Sequence, residues 1–104
     1  MQIISDLSDM IEEEVSDADK YIKCAISKKE EYPELANTFY KLSVEELGHA
    51  MALHEQVTAL IAAYRKEHGE PPEKMMWVYD YLHKKHINKL NGVKALQGSF
   101  KETK

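Results

Sequence analysis

The sequence has few cysteine, glycine and proline residues and no long hydrophobic run. Its single cysteine, Cys24, excludes an internal disulfide and any Cys-x-x-Cys site. A chain without disulfides suits the reducing cytoplasm, which is the location we expect. No apolar run approaches the roughly 20 residues of a membrane helix, and residues 1–6 lack the basic start and apolar core of a signal peptide. We therefore expect neither a membrane partner nor a secretory leader.

Charge is unevenly distributed along the chain, although the net charge is only −4. Residues 1–31 carry nine acidic and four basic side chains, whereas residues 71–104 carry three acidic and seven basic ones. The basic residues are too dispersed to predict nucleic-acid binding. They support only a third-ranked hypothesis, an adaptor whose last helix binds a partner or an anionic surface.

The residues that remain predict a single all-α domain over residues 1–104, with 43% hydrophobic and 31% charged side chains. Pro33 should end the first helix and begin the second, and Gly69 with the following prolines should end the second. Gly92 and Gly98 should weaken the end of the third. The three helices are expected at about residues 4–31, 33–68 and 72–98.

Ligand-type side chains interrupt the apolar stripe of each of the first two helices. On helix two, Glu46 and His49 replace apolar residues in the middle of a stripe with helical spacing. On helix one, Glu14 does the same. The two stripes comprise Ile4, Leu7, Ile11, Glu14, Ala18, Tyr21 and Ala25, and Leu35, Phe39, Leu42, Glu46, His49, Leu53, Gln56, Leu60 and Ala63.

An antiparallel hairpin that turns near Pro33 would bring these three side chains to one level. Glu14 lies about 18 residues before the turn, or roughly 27 Å along the helix, while Glu46 and His49 lie roughly 20–25 Å beyond it. Residues at i and i+3 are neighbours on one helix face. The spacing therefore predicts a metal site formed by Glu14, Glu46 and His49, whose oxygen and imidazole donors suit iron or manganese.

Other interpretations of the polar residues remain open. His49 is alternatively a core histidine that hydrogen-bonds Glu46 or Glu14 without metal, in a structural oligomer. Asp80, His83 and His86 on helix three form a weaker candidate ligand set beside the apolar stripe of that helix. His54 is interpreted as a surface or interface histidine. These residues do not by themselves define a reaction.

Residues 10–65 resemble the rubrerythrin branch of the ferritin-like superfamily. Members of that branch carry a first-helix Glu followed two turns later by Tyr, here Glu14 and Tyr21, and Glu-x-x-His on the second helix, here Glu46 and His49. The resemblance implies a di-iron carboxylate site, with manganese or zinc as alternatives. Glu14 would be a terminal ligand, Glu46 a bridge and His49 the nitrogen ligand. The implied activity is that of a ferroxidase or a peroxide-linked oxidoreductase.

The chain departs from a full family member, which has four helices and a second Glu plus Glu-x-x-His. Helix three has no glutamate between Glu73 and Glu102. Two copies related by a twofold axis would supply the complete set and form a four-helix bundle from two hairpins. This plan is similar to that of the encapsulated ferritins, whose site lies between subunits. It implies a homodimer or a higher even-numbered oligomer.

Overall fold

The computed structural model describes residues 2–102, which form three helices and no strand. The helices are α1 (Gln2–Lys28), α2 (Pro33–His68) and α3 (Glu73–Glu102). A 36-residue helix is about 54 Å long, so α2 accounts for the longest dimension of the molecule, 56 Å. Among the described residues, no helix combines the length and apolar content that a bilayer crossing requires.

Proline and glycine set the two connections, as the sequence predicts. Pro33 occupies the first turn of α2, and Tyr32 before it has an extended φ of −134°. The end of α2 is capped by Gly69, whose φ of 78° is readily adopted only by glycine and whose N–H donates to the Arg65 carbonyl at 2.9 Å. The expected all-α hairpin is thus confirmed.

Helix bounds differ from expectation at two ends. Helix α1 ends at Lys28 rather than near residue 31, because the chain already turns there and the Tyr32 N–H donates to the Lys28 carbonyl. Helix α3 continues through both glycines to Glu102 rather than ending near residue 98. Val93 and Phe100 are buried against the hairpin, and this packing offsets the low helix propensity of glycine.

The main core lies between α1 and α2. Small residues such as Ala18 and Ala50 are fully or almost fully buried there and allow the two helices to approach closely. Larger side chains fill the space around them. The buried apolar residues of the hairpin are Ile4, Ile11, Val15, Ala18, Ile22, Ala25, Ala36, Leu47, Ala50, Val57 and Ile61.

Helix α3 runs parallel to α1 and is attached through both apolar and polar contacts. Lys89 donates to Ser16 at 2.7 Å, and Lys29 donates to the Phe100 carbonyl at 2.6 Å. The buried Ser43 hydroxyl donates to a carbonyl of α1 and accepts a hydrogen bond from Gln97 of α3, which ties the three helices together. Among the described residues, α3 contributes two residues, Val93 and Phe100, to the buried apolar core.

Candidate metal centre

Glu14, Glu46 and His49 meet at the edge of the hairpin, on the level that the sequence predicts. One ligand atom from each side chain lies within 4.8 Å of the other two. His49 Nδ1 is 3.4 Å from Glu14 Oε2 and 3.8 Å from Glu46 Oε2. Within residues 2–102, this is the one group of three or more such side chains that is close enough to share an ion. The hairpin therefore brings together all three predicted ligands.

The two carboxyl groups are partly shielded from water and close to each other. The side chains of Glu14 and Glu46 are 28% and 22% exposed, whereas His49 is 61% exposed. The hydrogen bond between the two carboxyl groups raises the pKa of Glu46, and burial and the charge of Glu14 raise it further, although His49 opposes this. The Glu14 Oε2 atom is buried and has no hydrogen-bond partner among the described residues. This oxygen is available to a cation.

The group lies on the side of α1 that faces away from α3. Glu12 and Ser16 contact Lys85 and Lys89 of α3 at 3.5 and 2.7 Å. Residues two positions apart on a helix are separated by about 200°, so Glu14, between them in sequence, points to the opposite side. Within this chain, α3 therefore leaves the candidate site open to a partner.

Apolar side chains flank the group along this open side of the hairpin. Tyr21 stacks on Phe39, with ring centroids 6.1 Å apart, and its hydroxyl makes no hydrogen bond to a described residue. Met10 and Leu35 remain 49% and 45% exposed. The apolar pattern predicts that the stripe containing Glu46 and His49 is core. In this chain its side chains are half-buried or exposed instead. It borders that core and faces outward.

A second cluster, which the sequence did not predict as such, lies between α2 and α3. His54 and His83 approach to 2.8 Å between Nε2 and Nδ1, and His83 also stacks on Tyr79. His54, which the sequence predicts as a surface or interface histidine, is partly buried and contacts α3. Asp80 is exposed and is not part of any group of possible ligands among the described residues.

The distance of each histidine from the second turn indicates that His54 and His83 can lie close together. His54 lies about 15 residues before the turn at residues 69–72 and His83 about 11 residues after it, so both lie at similar heights in an antiparallel pair. Helical periodicity does not say which side of α2 the third helix packs on. The pairing therefore depends on tertiary packing.

Comparisons with protein-family models, curated proteins and solved structures give no match for this chain.

Proposed function

We propose that the chain is a metal-binding helical protein of the ferritin-like kind, in which Glu14, Glu46 and His49 form half of a site that a second copy completes. The observation that carries this proposal is the convergence of two carboxylates and one imidazole within 4.8 Å. They come from two helices, and Glu14 and His49 are 35 positions apart in the sequence.

The donor set fits a hard or borderline cation. Glu14 Oε2 is buried without a hydrogen-bond partner in the described residues, and the pKa of Glu46 is raised by its neighbouring carboxyl group. A divalent ion bound there would replace the proton between the carboxyl groups and neutralise their repulsion. Carboxylate oxygens with one imidazole favour iron or manganese, and zinc is an alternative.

A second copy is needed because three ligands are half of a carboxylate di-metal set. Such a centre takes a Glu from each of two helices and a Glu-x-x-His from each of two others. Isologous pairing of the open hairpin faces would provide these ligands twice and cover the exposed Met10 and Leu35 side chains. The same contact would shield His49 from water.

Each residue then has a defined task. Glu46 would bridge two ions, Glu14 would be a terminal ligand, and His49 would supply the nitrogen. Iron bound by such residues supplies electron transfer to oxygen or peroxide, as in a ferroxidase or a peroxide-linked oxidoreductase. The flanking apolar side chains would exclude bulk water and keep the carboxylates oriented.

A non-catalytic helical oligomer is the second candidate, and one feature favours it. His49 already lies beside both carboxylates, and the carboxyl groups hydrogen-bond to each other. These contacts compensate for one another without metal. The same open face would then serve only for self-association.

Iron content after anaerobic loading with Fe²⁺ and desalting tests the proposal. We expect about one iron per chain in the wild type, because a complete site of two ions would be shared by two chains. Glu46→Ala and His49→Ala should lower retention by about tenfold or more, since each removes a ligand. Glu45→Ala, an exposed neighbour on α2, is the matched control and should retain wild-type iron.

Light scattering on the same samples separates the candidates. A dimer or larger even-numbered oligomer that holds iron supports the shared site. An oligomer that holds no iron, manganese or zinc favours the second candidate. A strictly monomeric wild type contradicts both candidates, even if it binds metal.

A further inference from the structure

Two imidazoles from different helices meet outside the carboxylate site. His54 Nε2 on α2 lies 2.8 Å from His83 Nδ1 on α3, and the ring centroids are 4.6 Å apart with their planes at 25°. Two rings joined by a collinear hydrogen bond would have centroids about 2.3 Å farther apart than their nitrogens. Here the difference is only 1.8 Å, from 4.6 and 2.8 Å, so the two rings are not collinear with the line that joins their facing nitrogens.

This spacing matches two nitrogens bound to one ion at a right angle. Nitrogens held at about 2.0–2.1 Å from a metal lie about 2.9 Å apart at 90°, and about 3.4 Å apart in a tetrahedron. We propose that His54 and His83 form a second metal site, for a divalent ion that accepts square-planar or octahedral coordination, such as Ni²⁺ or Cu²⁺. Water would complete the coordination.

The two rings have different surroundings, since His83 is covered by an aromatic ring and His54 borders a cleft. Tyr79 stacks on His83 at 5.8 Å between centroids. His54 lines a cleft of about 260 Å³ between α2 and α3. Glu55 and the buried His86 line the same cleft as His54. The cleft is large enough for an ion with its water ligands.

The protonation state of the pair is suited to metal binding. Burial lowers the pKa of His54, and the neighbouring His83 lowers it further, while Glu55 opposes this. The neutral imidazole is the form of histidine that binds metals. In the hydrogen-bonded pair one of the facing nitrogens carries a proton. That proton can move to the other nitrogen of its ring when an ion binds, so no net proton release is required.

Calorimetric titration of the untagged chain with Ni²⁺ tests this site. The Glu14→Ala/Glu46→Ala/His49→Ala background removes the carboxylate site, so its failure and the failure of the proposed function are distinguishable. We expect about one Ni²⁺ per chain in this background. Adding His83→Gln or His54→Gln should weaken binding by about tenfold or more, because each removes one of two protein ligands.

His68→Gln is the matched control, since His68 is an exposed imidazole on α2 whose ring contacts that of Tyr64 at a tilt of 45°. It should leave Ni²⁺ affinity unchanged. Circular dichroism verifies that each variant is helical. If a glutamine variant unfolds, the Cu²⁺ electron paramagnetic resonance spectrum of the background replaces the affinity measurement. A spectrum that shows two equatorial nitrogens supports the site. A Ni²⁺ affinity equal to that of the background in both glutamine variants, or a Cu²⁺ spectrum without two nitrogens, overturns the proposal.

Discussion

His49 and His86 occupy opposite environments in the two helix pairs of this molecule. His49 lies beside two carboxylates at the edge of the α1–α2 hairpin, with 61% of its side chain exposed. His86 on α3 is 7% exposed, and its Nε2 has no hydrogen-bond partner among the described residues. His49 therefore lies next to negative charge, whereas His86 is buried near two other imidazoles.

This contrast follows from how each pair of helices is packed. The α1–α2 interface is filled mainly by apolar side chains, and the ionisable residues Glu14, Glu46 and His49 lie at its edge, where an ion has access. The contact between α2 and α3 is looser and includes imidazoles in its interior. The stability of the chain should therefore depend mainly on the hairpin, and the polar groups between α2 and α3 should reduce that stability.

Replacing a fully buried hairpin residue should have the largest effect on stability. Ile22 has no exposed surface, so Ile22→Ala should lower the free energy of unfolding by about 2–5 kcal/mol, from lost apolar burial and the cavity that remains. Urea denaturation followed by circular dichroism measures this change. Ile26→Ala on the same helix is the control, because Ile26 is 43% exposed. Equal effects of the two substitutions would break the proposed dominance of the hairpin core.

Replacing the buried histidine should have a smaller effect of opposite sign. His86→Leu removes a ring nitrogen that has no hydrogen-bond partner in the described chain and keeps an apolar side chain in the α2–α3 cleft. The desolvation penalty of such a group is about 1–3 kcal/mol. We therefore expect the free energy of unfolding to rise by up to about that amount at neutral pH. A loss of stability on this substitution would instead indicate that His86 makes a favourable contact that leucine cannot replace.

Local signals in the sequence were sufficient for the hairpin. Pro33 and Gly69 punctuate the chain where the helices begin or end, and the residue count from the turn brings Glu14 level with Glu46 and His49. These inferences need only helix geometry and backbone sterics. The carboxylate group was therefore predictable residue by residue, although the identity of any bound metal was not.

The buried side of α2 was not predictable from the largest apolar residues. Their stripe includes Leu35 and Leu53, whereas close helix contact is made by smaller residues such as Ala36, Ser43 and Ala50. Periodicity reports which side chains share a face, and does not say whether that face is covered by the same chain or by another. The His54–His83 contact was missed for a related reason, because the position of α3 around the hairpin depends on packing.

The two regions should change the pH dependence of stability in opposite directions, and this is the smallest effect that we expect. Burial lowers the pKa of His86 below its ordinary value of 6.5, although Glu12 opposes this. Below pH 6.5 the unfolded chain therefore binds a proton that the folded chain does not, and stability falls as pH decreases through this window. Glu46 acts in the opposite direction. Its raised pKa lets the folded chain keep a proton above the ordinary value of 4.5, so its contribution is lost as pH increases.

Urea denaturation of metal-free protein between pH 4.5 and 6.5 should resolve the two contributions. Glu46→Gln should make stability rise more steeply with pH, because the opposing carboxyl is removed. His86→Leu should make the rise shallower, because the variant lacks the histidine that is protonated in the unfolded chain but not in the folded chain. Glu45→Gln, exposed on the same helix, should leave the slope unchanged. If both test variants changed the slope in the same direction, the two regions would not have the opposite electrostatic character that their burial and neighbours predict.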